Sequence, residues 1–328
     1  MPGLRKDRLI SMTRILTCAS LAVSIIGALG AAGQQPTFRG AIDAVHVFVT
    51  VTDRDGRLVT TLSRDDFEVR DDRKTQPITL FDNTPQPIRL IILLDVSGSM
   101  EGNLPLLRAA ADQLFMRLRP DDAVRVGTFG HEIIISPSFT HDLDQLRRAL
   151  PVAIAPDAPT PLWRAFGEGL AAFTREGEAR PVILVLSDGK DSGPVGFGQP
   201  FVSQAEVIDR ARRDNVMVYA VGMRSRGRHP LQPGLGRAGL QAMMSADLPD
   251  PGLAVVAEQT GGGYTEIRYG EDLGAAFAKV ADELHGQYLI GYAPPKRDGK
   301  VHAIDVRVSQ HGMKPRARKN YVAPKEQQ

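Results

Sequence analysis

Asp95, Ser97 and Ser99 alternate with Val96 and Gly98 directly after the apolar run Leu90-Ile91-Ile92-Leu93-Leu94. Such a run reads as a β-strand buried on both faces, and open α/β sheets place ligand sites just past the carboxyl ends of their strands. A carboxylate and two hydroxyls are hard oxygen donors, suited to a hard divalent cation. Two later segments offer donors of the same kind. Thr160 lies in the proline-rich stretch Ala158-Pro159-Thr160-Pro161-Leu162-Trp163, which leads into a helical pattern of Leu162, Phe166, Leu170 and Phe173. Asp188 follows a second aliphatic strand pattern, Pro181 to Ser187. Two carboxylates and three neutral hydroxyls supply a divalent ion sparsely. Mg²⁺ seeks about six near-octahedral ligands, so an ion held here keeps an exchangeable position.

In type and order, Asp95, Ser97, Ser99, Thr160 and Asp188 match one by one the metal-ion-dependent adhesion site of von Willebrand factor A domains, and the chain resembles that family. In the family the serines and the threonine reach the cation directly or nearly so, while the aspartates often act through water. The resemblance implies a doubly wound, mostly parallel sheet with helices on both faces. It also implies Mg²⁺ as the ion, with Mn²⁺ or Ca²⁺ as alternatives, and an unknown protein partner whose Asp or Glu carboxylate completes the coordination. The flanks, Val45 to Phe81 and Gln287 to Tyr321, resemble the ends of a secreted bacterial von Willebrand factor A-related family seen especially in acidobacteria.

Catalysis finds little support among the remaining residues. The seven histidines are scattered, without H-E-x-x-H or a pair at metal-ligand spacing. No G-x-S-x-G elbow is present, and Ser97 is expected to bind metal rather than act as a nucleophile. Gly234-Leu235-Gly236-Arg237-Ala238-Gly239 fits G-x-G-x-x-G, but it follows Pro233 in a loop instead of a strand, so a dinucleotide is not expected. Asp53-Arg54-Asp55-Gly56 lacks the closing acid of a calcium loop and reads as a hairpin turn. The reading is therefore a non-enzymatic, metal-dependent binding module. A metal-independent envelope scaffold and a metal-assisted hydrolase are the alternatives.

The elements that must hold these residues follow from composition and periodicity. With 42% hydrophobic and 24% charged residues, the 328-residue chain has the make-up of an ordinary globular protein. A net charge of +2 gives no general case for nucleic acid. Arg5, Lys6, Arg8 and Arg14 precede an uncharged apolar stretch, Ile15 to Leu29, and then small residues, the pattern of a secretory signal peptide over 1–33. The protein is thus expected to be exported, periplasmic or extracellular, with no other membrane-spanning segment. Cys18 is the single cysteine, so stability must rest on a hydrophobic core rather than disulfides.

Residues 34–86 read as an N-terminal β segment, 87–286 as the α/β domain, 287–323 as C-terminal strands and 324–328 as a tail. The simplest assembly packs the two sets of terminal strands together, with the α/β domain inserted between them. Within that domain strands alternate with amphipathic helices, which predicts a sheet covered on both faces. Ile133-Ile134-Ile135 reads as a hairpin partner of the strand Ala123 to Phe129. The stretch Met223–Pro251, rich in Gly, Pro, Arg and Met, interrupts the rhythm as a long loop. Trp163 is expected to pack, and Lys190 and Asp191 to be solvated. Lys314, Arg316, Arg318 and Lys319 are expected to form the wet face of an edge strand.

Overall fold

The computed structural model describes residues 44–173, 179–194, 200–224, 248–268 and 271–325. Residues 1–33, read above as a signal peptide, the Gly234–Gly239 motif and most of the Met223–Pro251 stretch lie outside them. Four strands come first: β1 (Val45–Thr52), β2 (Phe67–Asp71), β3 (Lys74–Gln76) and β4 (Leu80–Asp82). The alternating part follows as β5 (Ile88–Asp95), α1 (Leu104–Phe115), β6 (Ala123–Phe129), β7 (Ile133–Ile135), α2 (Leu143–Arg148), α3 (Leu162–Ala171) and β8 (Arg180–Ser187). It continues with α4 (Gln204–Arg213), β9 (Met217–Met223), α5 (Gly252–Thr260), β10 (Tyr264–Ile267) and α6 (Leu273–His285). The chain then returns to strands, β11 (Tyr288–Tyr292), β12 (Val301–Val308), β13 (Lys314–Arg316) and β14 (Asn320–Val322).

The central sheet has the order β10-β9-β8-β5-β6-β7, parallel except for β7, which pairs antiparallel with β6 as the hairpin pattern predicts. Alternation along β5 explains the two-faced burial. Leu90, Ile92 and Leu94 join Leu107, Leu114, Phe277 and Leu284 from α1 and α6 in one core. Ile91 and Leu93 face the other way, among Phe166, Leu170, Val207 and Val256 from α3, α4 and α5. Each fully buried Leu or Ile contributes about 1.5–3 kcal/mol, so helices on both faces are the stable arrangement. Local signals set the helix ends. Pro105 occupies the first turn of α1, and Ser203 and Asp272 accept amide hydrogen bonds at the starts of α4 and α6. Gly261, in the left-handed region at φ 83°, closes α5.

The terminal strands build two antiparallel sheets, β13-β1-β11-β4 and β14-β12-β2-β3. Val47 and Val49 of β1, Val69 of β2, Ile290 of β11 and Tyr321 of β14 share one core between them. Strands from both ends of the described chain therefore form a second β unit beside the parallel sheet. The other face of β1 meets the α/β part. Phe48 lies under the Arg180 guanidinium, 4.3 Å from the ring centre, and Gln287 donates to the Thr50 hydroxyl at 2.7 Å.

Within the N-terminal β segment, β4 begins only at Leu80, and the short β3 precedes it. Asp72 and Arg73 adopt positive φ angles (45° and 69°) that turn β2 tightly into β3. The basic C-terminal segment is only partly wet. β13 is an edge strand, and Lys314 and Lys319 are exposed. Arg316 instead pairs with buried Glu283, and Arg318 donates to the His46 carbonyl.

Candidate metal centre

β5 is the switch point of the sheet: the chain leaves it for β6 on one side and later returns through β8 on the other. The carboxyl ends of β5 and β8 therefore open the crevice in which doubly wound sheets bind ligands. Asp95 is the last residue of β5 and is fully buried. Its Oδ1 accepts from the Ser97 amide at 2.8 Å, and its Oδ2 accepts from the Ser187 hydroxyl at 2.5 Å. The aspartate thus shapes the turn that presents Ser97 and Ser99. Ser97 Oγ stands 3.1 Å from Ser99 Oγ, and Ser99 Oγ donates to Asp188 Oδ1 at 2.7 Å. Four of the five sequence-predicted residues are therefore one hydrogen-bonded chain across two loops.

Thr160 joins from the third loop. A Cβ built on Gly189 would lie 3.0 Å from Thr160 Oγ1, so the hydroxyl sits against the backbone beside Asp188. The Thr160 carbonyl accepts from Ser192 at 2.9 Å, and Asp191 Oδ1 accepts from the Trp163 amide at 3.2 Å. Gly98 clamps the first loop to the Thr160 loop, its amide donating to the Ala158 carbonyl at 3.0 Å. A side chain there would strike the Pro156 carbonyl, with Cβ only 1.9 Å from the oxygen. The glycine is required by this close approach rather than by an unusual dihedral angle.

Burial sets the electrostatics. It pushes the Asp95 carboxyl up to about 7, against the hydrogen bonds from Ser187 and Ser97, with the charge of Asp188 adding to the rise. Burial raises Asp188 as well, against the Ser99 hydroxyl. Asp188 Oδ2 is buried and meets no hydrogen-bond partner among the described residues. Buried acceptors are normally satisfied, and an unpaired carboxylate oxygen is costly. Two such carboxylates beside three hydroxyls fit a hard divalent cation, which would offset their charge and take the free oxygen.

Sequence reasoning missed three supporting residues. Ser187 orients Asp95, and only the β5–β8 register puts the two side by side. Asp250 ties the end of the long loop to the site, accepting from the Asp191 amide at 3.2 Å and the Gly252 amide at 2.8 Å. Asp191 holds the Trp163 amide and so is a tie between loops rather than a solvated charge. Trp163 packs as expected, stacked on Phe166 at 5.7 Å.

Residues 90–241 match the family model of the von Willebrand factor type A domain. No curated protein matches the chain. Among solved structures, an aerotolerance-related membrane protein from Bacteroides fragilis is similar at 16% identity, covering 60% of this chain and 98% of that one with a TM-score of 0.42. A von Willebrand factor type A protein from Catenulispora acidiphila is similar at 11% identity, with 87% and 74% of the chains covered and a TM-score of 0.45. Proximal thread matrix protein 1 from the mussel byssus, in a structure with a zinc-occupied MIDAS motif, is similar at 15% identity, with 66% and 50% covered and a TM-score of 0.46. No helix among the described residues is long and apolar enough to cross a membrane. The chain carries a von Willebrand factor type A domain, and all five oxygen-bearing residues lie within its matched span.

Proposed function

We propose that the protein is an exported, non-catalytic binding module whose Asp95, Ser97, Ser99, Thr160 and Asp188 hold one divalent cation, Mg²⁺ being the expected ion. The observation that carries this reading is the buried, unpartnered Oδ2 of Asp188 beside the hydroxyl chain. When bound, the ion supplies a coordination position that a carboxylate from another protein can fill. The chain's own residues do the rest. Asp95 and Ser187 fix the first loop, Ser99 orients Asp188, and the Gly98–Ala158 hydrogen bond keeps Thr160 in register.

The carboxylates of Asp95, Asp188 and Asp191 each accept from Ser97, Ser187, Ser99 or a backbone amide, so in this reading they serve as ligands or ties between loops. This favours binding over turnover. The test is affinity capture from the native envelope with and without EDTA, using Asp95→Ala as control. Partners recovered by the wild type alone, and only with metal, support the reading. Equal recovery from all samples sinks it.

A further inference from the structure

We propose that Asp71, Asp72 and His302 form a second cation site, outside the type A domain, for a zinc-class divalent ion. Asp71 ends β2, Asp72 opens the turn into β3, and His302 is near the start of β12. His302 Nδ1 stands 3.1 Å from Asp71 Oδ1 and 3.1 Å from Asp72 Oδ2, and all three donor atoms lie within 4.8 Å of one another. Donors bound at about 2.0 Å in a tetrahedral zinc shell stand about 3.3 Å apart. The two spacings to Nδ1 are close to those of a formed site.

The surroundings supply what such a site needs beyond its ligands. His302 Nε2 lies 3.1 Å from Asp298 Oδ1. A carboxylate can only accept, so Nε2 carries a proton toward Asp298, and Nδ1, 3.1 Å from Asp71 Oδ1, carries one too when no metal is bound; it is this Nδ1 proton that a metal ion would displace. Three electron-rich atoms then converge on one point, which a second ring proton or a metal ion must fill. Asp71 Oδ2 accepts from the Tyr292 hydroxyl at 3.0 Å and the Tyr321 hydroxyl at 2.6 Å. Asp72 Oδ1 accepts from the Ala303 amide at 3.0 Å. Each carboxylate thus has one oxygen fixed and the other turned to the histidine, the outer order that metal-binding His and Asp residues require.

The imidazole nitrogen selects against Mg²⁺ and Ca²⁺ and for zinc-class ions. His302 and Asp71 are buried, whereas the Asp72 side chain is 51% exposed and leaves an entry path and room for water as a further ligand. Burial alone would lower the His302 pKa, but Asp298, Asp71 and Asp72 outweigh it and raise it. Proton and metal therefore compete for Nδ1. The bound ion would staple the β2–β3 turn to β12, residues far apart in the chain.

The test uses the full chain in excess Mg²⁺, which fills the oxygen site, with Zn²⁺ titrated by calorimetry. Wild type and Asp95→Ala should both take up zinc. Asp72→Asn, at an exposed position that does not threaten folding, and His302→Gln should each lose affinity at least about tenfold, and Asp298→Asn about 10–100-fold. The His302 ring ¹⁵N resonance should move as zinc is added. No zinc uptake by wild type, unchanged affinity in Asp72→Asn, or a His302 ring that keeps both protons in saturating zinc would overturn the proposal.

Discussion

Gly98→Ala perturbs the candidate metal centre at the point where two of its loops touch. The new Cβ would lie 1.9 Å from the Pro156 oxygen and 2.6 Å from the Pro156 carbonyl carbon. Both are backbone atoms, so no rotamer change relieves the clash, and the loops must part by roughly 1 Å. That opening breaks the Gly98–Ala158 hydrogen bond and displaces Thr160, two residues further on. Overpacking costs about 1–3 kcal/mol and the lost hydrogen bond about 1 kcal/mol. A domain with about 5–15 kcal/mol of stability survives this. Sites tolerate only about 0.5 Å of misplacement, so Mg²⁺ affinity should fall about tenfold or more. Gly102→Ala is the internal control: it lies in the same 3-10 segment, Gly98–Asn103, yet its Cβ meets nothing within 4 Å. Its stability should stay within about 0.5 kcal/mol of wild type, with affinity unchanged. The assays are thermal melting and Mg²⁺ calorimetry on all three proteins. Equal affinity for wild type and Gly98→Ala, or equal losses in both variants, would refute the close-approach reasoning.

Three further outcomes are expected. Because burial lifts Asp95 to about 7, a proton competes with the cation, so Mg²⁺ binding should release protons and weaken as pH falls below about 7; pH-independent calorimetric affinity between about pH 6 and pH 8 would contradict this. Asp122 is buried, which alone would raise its pKa, but His285 and the Arg119 and Ile88 amides hold it below the usual carboxylate range. Its contribution is therefore present above the unfolded-state pKa near ~3.9 and is lost as pH falls through the lower folded value. Asp122→Ala should cost about 1–3 kcal/mol at neutral pH by leaving the Ile88 amide unpaired, and denaturant melts across acid pH should show a shallower decline than wild type. Asp250→Ala frees the Asp191 and Gly252 amides. It should lower Mg²⁺ affinity several-fold while costing about 1 kcal/mol in a urea melt, and unchanged affinity would remove Asp250 from the site's support.

The parts of the fold that were legible in the sequence are those encoded locally. Leu90–Leu94 and Val182–Leu186 are continuous aliphatic runs because both faces of β5 and β8 are buried, and helix stripes such as Leu107–Ala110–Leu114 carry their own period. The five oxygen donors were legible because each sits at the end of such a run or just before such a stripe. Features that depend on pairing were not. Ser187 supports Asp95 only through strand register, and Gly98 is required by a loop 58 residues away in the chain, at Pro156. The His302–Asp71 contact spans 231 residues, so a search for histidines at short ligand spacing passes over it. Arg316 and Arg318 read as surface charge, yet β13 lies along β1 and turns them toward Glu283 and the His46 carbonyl.

The most direct measurement is anomalous diffraction from crystals of the protein grown with Mn²⁺. The account predicts one strong peak within bonding distance of the Ser97, Ser99 and Thr160 hydroxyls, beside Asp188 Oδ2 and lost in Asp95→Ala crystals. Mn²⁺ crystals that diffract well but show no density among those side chains would contradict it.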